Sequence, residues 1–163
     1  MMEQIGMKYL LVQTKMITRE EFVNTKVRKE QIGGIGGYYL MLNNRDVMGY
    51  DEKDTIKKQV RELCKEHKPQ RVLEIGFGLG FTATEFQEQG IKEHTIVEAH
   101  PVIFKRAEKW RKKYPNKKIN LINKFVQDFK YDEKDYDLIY DDRDELVEEL
   151  EAGTTFPNWK IIK

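Results

Sequence analysis

The sequence predicts an α/β domain, a mostly parallel sheet of about four or five strands with helices on both faces. Three observations predict it. Apolar runs at "RVLEIG" (71–76), "HTIVEA" (94–99), "KINLINKFV" (118–126) and "YDLIY" (136–140) have the length of buried strands. Helix-length segments separate the first three of them. Glycines at 76, 78 and 80 form the turn between the first strand and the helix after it, where an open α/β sheet places its ligand.

The first 36 residues carry little pattern. Arg19–Gln31, "REEFVNTKVRKEQ", is expected to be helical, and Gly33–Gly37, "GGIGG", is a break. That glycine cluster is no phosphate loop, because no strand leads into it and no lysine–hydroxyl pair follows it. Tyr38–Tyr50 gives two extended pieces around Asn43–Asn44, as a hairpin or an irregular flap.

The strongest helix is "DTIKKQVRELCKEHK" (54–68). Ile56, Val60, Leu63 and Cys64 share one face, Asp54 is placed to cap it and Pro69 ends it. Cys64 lies on that apolar stripe and is a core residue before it is a nucleophile. "FTATEFQEQ" (81–89) is the helix after the glycine turn. "PVIFKRAEKWRKKY" (101–114) has Pro101 in its first turn and buries Ile103, Ala107, Trp110 and Tyr114. Residues 1–53 thus form an N-terminal helical segment and flap, and 54–163 the sheet domain.

With 163 residues and 39% hydrophobic content, the chain can bury one real core. Its 29 bases balance 28 acids, so net charge points to neither nucleic acid nor membrane. No apolar run is long enough to span a bilayer and no leader is recognisable, so a soluble cytoplasmic domain is expected. The single cysteine allows no internal disulfide, and no Cys/His spacing suits a metal. Asp132–Glu151 carries eleven acids and two bases. It is either a solvated face or a mouth that draws in a cationic substrate.

The glycine spacing selects the cofactor. A dinucleotide fingerprint needs its third glycine at 81, where this chain has Phe81. The pattern present is acid-x-G-x-G-x-G, with Glu74 two residues before Gly76. An acid there suits a cationic ammonium and repels a pyrophosphate. The motif resembles the first motif of the class I methyltransferases that use S-adenosylmethionine. Glu98 ends the second strand, eighteen residues after Gly80, where an acid can accept both ribose hydroxyls.

A narrower resemblance runs through the middle of the chain. "VMGYDE", "RVLEIGFGLG", "EHTIVEA", "VIFKRAEKW", "NKFVQDF" and "LIYDD" occur in that order over about residues 38–142. They resemble guanidinoacetate methyltransferase and its relative, the fungal-type arginine δ-N-methyltransferase. The resemblance implies a guanidinium gripped by Glu52 and Asp141. It implies cofactor contacts from Glu74, Gly76, Phe77, Gly78 and Gly80, from Glu98 and Ala99, and from Gln127 and Asp128. Tyr140 and Met48 complete that set. The chain departs from the family where Gly49 replaces an acid, Asp51 a Trp, and Val126 the Trp beside the adenine. Substrate fit and adenine stacking must therefore differ.

The resemblance also implies three strands after the fourth, yet only twenty-one residues follow Asp142. They are expected to give a helix at Glu145–Leu150 and one strand at "NWKIIK". The fourth strand would then lie at or near an edge, which invites pairing, and a homodimer through that side is expected. The expected function is N-methylation of a guanidino group on a small molecule or a peptidyl arginine, releasing S-adenosylhomocysteine. The alternatives are a binding module that keeps the cofactor without catalysis, and a methyltransferase for another amine or a carboxylate.

Overall fold

The computed structural model describes residues 18–31, 38–42, 45–141 and 158–162. It begins with helix α1, Arg19–Val23, closed by a capping box. The Thr18 hydroxyl accepts from the Glu21 N–H and the Glu21 carboxylate accepts from the Thr18 N–H. The helix expected over Arg19–Gln31 therefore stops after five residues. Asn24 and Thr25 donate their side chains back to the Glu20 and Glu21 carbonyls, at 2.9 and 2.7 Å, and finish the last turn. Strand β1, Val27–Gln31, follows and pairs antiparallel with β2, Tyr38–Leu42. β2 pairs with β3, Arg45–Gly49, so of the two forms open to Tyr38–Tyr50 the chain takes the hairpin. The glycine cluster 33–37 and the Asn43–Asn44 turn lie outside the described residues.

A 3-10 turn, Tyr50–Glu52, leads into α2, Lys53–His67. The helix begins one residue before the expected Asp54 cap. Glu52 takes the N-cap position, and Asp54 lies in the first turn, where its charge complements the dipole. Val60, Leu63 and Cys64 are buried as the stripe requires, and Ile56 packs beside them. Lys68 adopts a left-handed conformation and its N–H returns to the Cys64 carbonyl, which lets Pro69 follow.

The remaining elements are β4 (Arg71–Ile75), α3 (Phe81–Glu88), β5 (Glu93–Val97), α4 (Pro101–Arg111), β6 (Lys118–Ile122), β7 (Leu138–Asp141) and β8 (Asn158–Ile161). They form a five-stranded sheet of order β6-β5-β4-β7-β8, parallel except for β8. The chain winds outward from β4 to β6, then returns to β7 on the other side of β4. That reversal opens a crevice at the carboxyl end of β4.

The register assigns the layers. Val72, His94 and Leu138 form one row, and Glu74, Ile96 and Tyr140 the next, all on one face. Buried side chains of α2, α3 and α4, among them Val60, Phe86 and Ala107, pack against that face. Leu73, Ile75, Val97 and Ile139 point the other way, onto Val126, Phe129, Tyr131, Tyr136 and Ile162. Among the described residues, the second face is covered by the β6–β7 connection, with its 3-10 turns at Val126–Asp128 and Glu133–Asp135.

The strand expected at "NWKIIK" is β8, and it pairs along β7, so that among the described residues β8 is the outer strand on this side. Trp159 stacks almost parallel over Tyr140, 6.5 Å between centroids, and Lys160 pairs with Glu133. The helix expected at Glu145–Leu150 lies outside the described residues.

Asp137 ties β7 to the start of β4. One carboxylate oxygen accepts the backbone N–H groups of Gln70 and Arg71, each at 2.9 Å, and the other accepts the Arg71 guanidinium at 2.8 Å. These donors outweigh burial and hold the carboxyl below its usual range. Asp137→Ala should destabilise the domain by about 1.5–3 kcal/mol, the usual worth of hydrogen bonds to a charged group. Urea unfolding checks this, and an unchanged midpoint would remove Asp137 from the account.

Candidate functional site

The glycine turn leaves β4 at the crevice. Gly76, Gly78 and Gly80 all have positive φ, at 88°, 56° and 81°. At Gly80, which begins α3, a Cβ would also lie 2.7 Å from the Phe77 ring. Two constraints therefore demand glycine there. Phe77 turns inward, only 2% exposed, and its ring meets Trp110 edge-on at 5.5 Å. Of Phe77, only the backbone faces the turn.

Glu98, just past β5, holds this turn. One carboxylate oxygen accepts the Phe77 N–H at 2.9 Å and the other accepts the His100 N–H at 2.8 Å. Burial pushes the carboxyl upward, while the N–H groups of Phe77, His100, Gly78 and Ala99 pull it back. Glu98 is 6% exposed, so it is not a strand-end acid facing water. Asn123 fixes the segment further by donating to the carbonyls of Glu98 and Ala99. Each oxygen of a carboxylate has two acceptor sites. Four N–H groups converge on those sites, from Phe77, His100, Gly78 and Ala99, so vicinal hydroxyls would share them with the backbone.

Glu74 behaves differently from a surface acid. It is fully buried beneath α3, and its Oε2 lies 2.8 Å from His94 Nε2. His94 Nδ1 in turn lies 3.0 Å from the Gln87 amide. Burial, then the nearby Glu98, raises the Glu74 carboxyl well above its usual range, and burial lowers His94 to about 3. Glu74 Oε1 has no hydrogen-bond partner. A buried orphan acceptor of this kind, in the electrostatic field of Glu98, fits an ammonium donor reaching into the turn.

Topology sets the positions of the two acids expected to grip a guanidinium. Glu52 heads α2, and its carboxylate accepts the Gly49 N–H at 2.8 Å. Asp141 ends β7, half-buried, in register with Ile75. Because α2 runs down to the start of β4, its N-terminus and the end of β7 share the crevice end of the sheet. Tyr140 points away from that end, into the helix layer, with its hydroxyl 3.4 Å from Gln59 and its ring on Phe86. Met48 lies in β3, opposite Leu40.

Gln127 and Asp128 form an exposed 3-10 turn, and Asp128 pairs with Arg19 at 2.8 Å. Arg19 also lies over the Phe125 ring, 4.8 Å from its centroid. Phe22 meets the rings of His100 and Phe125, and His100 Nε2–H reaches the Thr25 carbonyl while its Nδ1 accepts from Val102. The segment around α1 is thereby fastened beside Glu98. No periodicity in the sequence signals this, since the contacts are single residues from a stretch without pattern.

The parallel sheet, its reversal at β4 and the Glu98-held glycine turn define a class I methyltransferase domain. The profile of the guanidinoacetate N-methyltransferase family matches residues 41–154, and the chain belongs to that family. Protein arginine N-methyltransferase 2 of Gibberella zeae is 30% identical over 101 residues, covering 61% of this chain and 22% of that one. Its namesake in Candida glabrata is 32% identical over 90 residues, covering 53% and 21%. The aligned part of this chain spans about a fifth of those relatives' length. Among solved structures, the SAH-bound Podospora anserina methyltransferase PaMTH1 is 24% identical, with a TM-score of 0.46, over 53% of this chain and 39% of that one. Among the described residues no helix is long and apolar enough to cross a membrane.

The buried pair makes a sharp prediction. Burial raises Glu74 and lowers His94, so folding makes the first hold its proton more readily and the second less readily. Their effects on stability therefore oppose each other as pH falls. Glu74→Gln removes one titration and leaves a folded His94 near 3 against an unfolded value of 6.5. Stability should then fall as pH drops below about 6.5, by up to about 1.4 kcal/mol per pH unit. Denaturant melts across that range check it, and identical slopes in native chain and variant would contradict it.

Proposed function

We propose that this chain is an S-adenosylmethionine-dependent N-methyltransferase domain whose acceptor is a guanidino nitrogen, on a small molecule or an arginine side chain. One observation carries the reading. A buried acid, Glu98, is fixed against a three-glycine turn at the sheet's reversal, and two further acids, Glu52 and Asp141, stand at the same end. Membership of the guanidinoacetate N-methyltransferase family supports the acceptor class.

When bound, S-adenosylmethionine supplies an electrophilic methyl group on a sulfonium. Glu98 would hold the ribose hydroxyls and Glu74 would face the ammonium, with the glycine turn giving the backbone close approach. Glu52 and Asp141 would receive the guanidinium through charge-assisted bonds, which suit its planar fork. A guanidinium keeps its proton at neutral pH, so a carboxylate must orient the attacking nitrogen and take the proton it sheds as the N–C bond forms. Asp141 fills that role, and Glu52 fixes the far side of the fork. The acidic stretch 132–151 would draw the cation in. A homodimer joined along the outer edge of β8 belongs to the same reading. So does a cytoplasmic setting, which suits the unpaired Cys64.

Asp141→Asn should lower the methyl-transfer rate on guanidino acceptors by on the order of a hundredfold, with cofactor affinity nearly intact. Glu52→Gln should mainly raise KM. Rates measured over a panel of guanidino compounds and arginine peptides check both. If the native chain binds cofactor and methylates none of them, the binding-module reading replaces this one. Light scattering checks the dimer, and a monomer at high micromolar concentration would contradict it.

A further inference from the structure

Net charge conceals how charge is laid out on this molecule. Residues 101–124 carry nine bases and a single acid, Glu108, and the acidic stretch Asp132–Glu151 cancels them in the total. Lys105, Lys109, Arg111, Lys112, Lys113 and Lys117 are all exposed, along α4 and the turn into β6. Between α4 and β6, the outer strand on this side of the sheet, lies a groove of about 530 Å³. Half-buried Phe104, Tyr114 and Leu121 supply its apolar surface, and Arg111, Lys112 and Lys117, with the single acid Glu108, its charge. Tyr114 is braced from behind by Trp110, 4.9 Å between centroids.

One or two lysines at a helix C-terminus complement its dipole. Three bases, Arg111, Lys112 and Lys117, against the one acid Glu108, in a groove that also presents two aromatic rings, exceed that need. We propose that this groove binds single-stranded nucleic acid. Unpaired bases would lie on Tyr114 and Phe104, and phosphates on Arg111, Lys112 and Lys117. An acidic peptide would use the bases and leave the aromatic faces idle. A duplex would keep its own bases stacked inside and offer the groove only phosphates. The groove shares no residue with the glycine turn or the substrate acids, so the inference stands independently of methyl transfer.

Fluorescence anisotropy of a labelled oligouridylate of about twelve nucleotides tests it, across a salt series. Three phosphate contacts at about −0.7 each predict a slope of log affinity against log salt of about −2. Arg111→Glu with Lys112→Glu should weaken binding at least about tenfold and flatten the slope to about −0.7 or less. Tyr114→Leu keeps apolar bulk but removes the stacking face, and should cost about five- to a hundredfold with the slope unchanged. Melting temperatures establish that each variant is folded, and Tyr114→Phe should retain binding. The proposal is overturned if the oligonucleotide does not bind at low salt, or if a duplex binds more tightly. It is equally overturned if Tyr114→Leu binds as the native chain does while polyglutamate competes as well as the oligonucleotide, since the partner is then an acidic protein segment.

Discussion

The carboxylate of Glu98 is the constraint on which the site depends. It accepts the N–H groups of Phe77 and His100 from two different turns, the one after β4 and the one after β5. Joining them fixes the distance between neighbouring strand ends, which backbone pairing alone stops doing once Gly76 has bonded to the Val97 carbonyl. The inward Phe77 ring, the glycine demanded at 80 and the start of α4 at Pro101 all follow from that junction. So does the docking of α1, because His100, whose N–H anchors Glu98, also receives Thr25 and Phe22.

A second constraint lies beneath it. Three polar side chains, Glu74 and His94 of the sheet and Gln87 of α3, are buried in line between sheet and helix, where an apolar core would be simpler. Such a chain is costly unless its members satisfy one another. Two atoms, Glu74 Oε1 and Gln87 Oε1, are left without partners. The domain thus keeps a polar vein running from its helix layer to the crevice, in which burial raises Glu74 and lowers His94.

The sheet strands, the three principal helices and the glycine turn were legible because each leaves a period or a steric demand in the sequence. Ile56, Val60, Leu63 and Cys64 mark a helix face, and three glycines at alternate positions mark a turn. The N-terminal region was not legible. "REEFVNTKVRKEQ" has helix-forming composition, but Thr25 closes the helix and β2, the next strand, captures Val27–Gln31. The ion pair of Arg19 with Asp128 joins residues 109 apart in the chain, and no local pattern encodes it. The candidate acids stand out by position, but their burial does not. Glu74 looks like any strand-end acid until the register puts it opposite Ile96 and Tyr140 under the helices. The charge of the α4 flank was hidden by summing over the whole chain.

The central claim, that the Glu98-held turn receives S-adenosylmethionine, is tested most directly by calorimetric titration. S-adenosylhomocysteine should bind the native chain at one site, and more tightly than NADH. Glu98→Ala should weaken it by roughly ten- to a hundredfold, the worth of two charge-assisted hydrogen bonds, with the melting temperature recorded alongside to show a folded domain. Unchanged affinity in a folded Glu98→Ala chain, or tighter binding of NADH, would contradict the account.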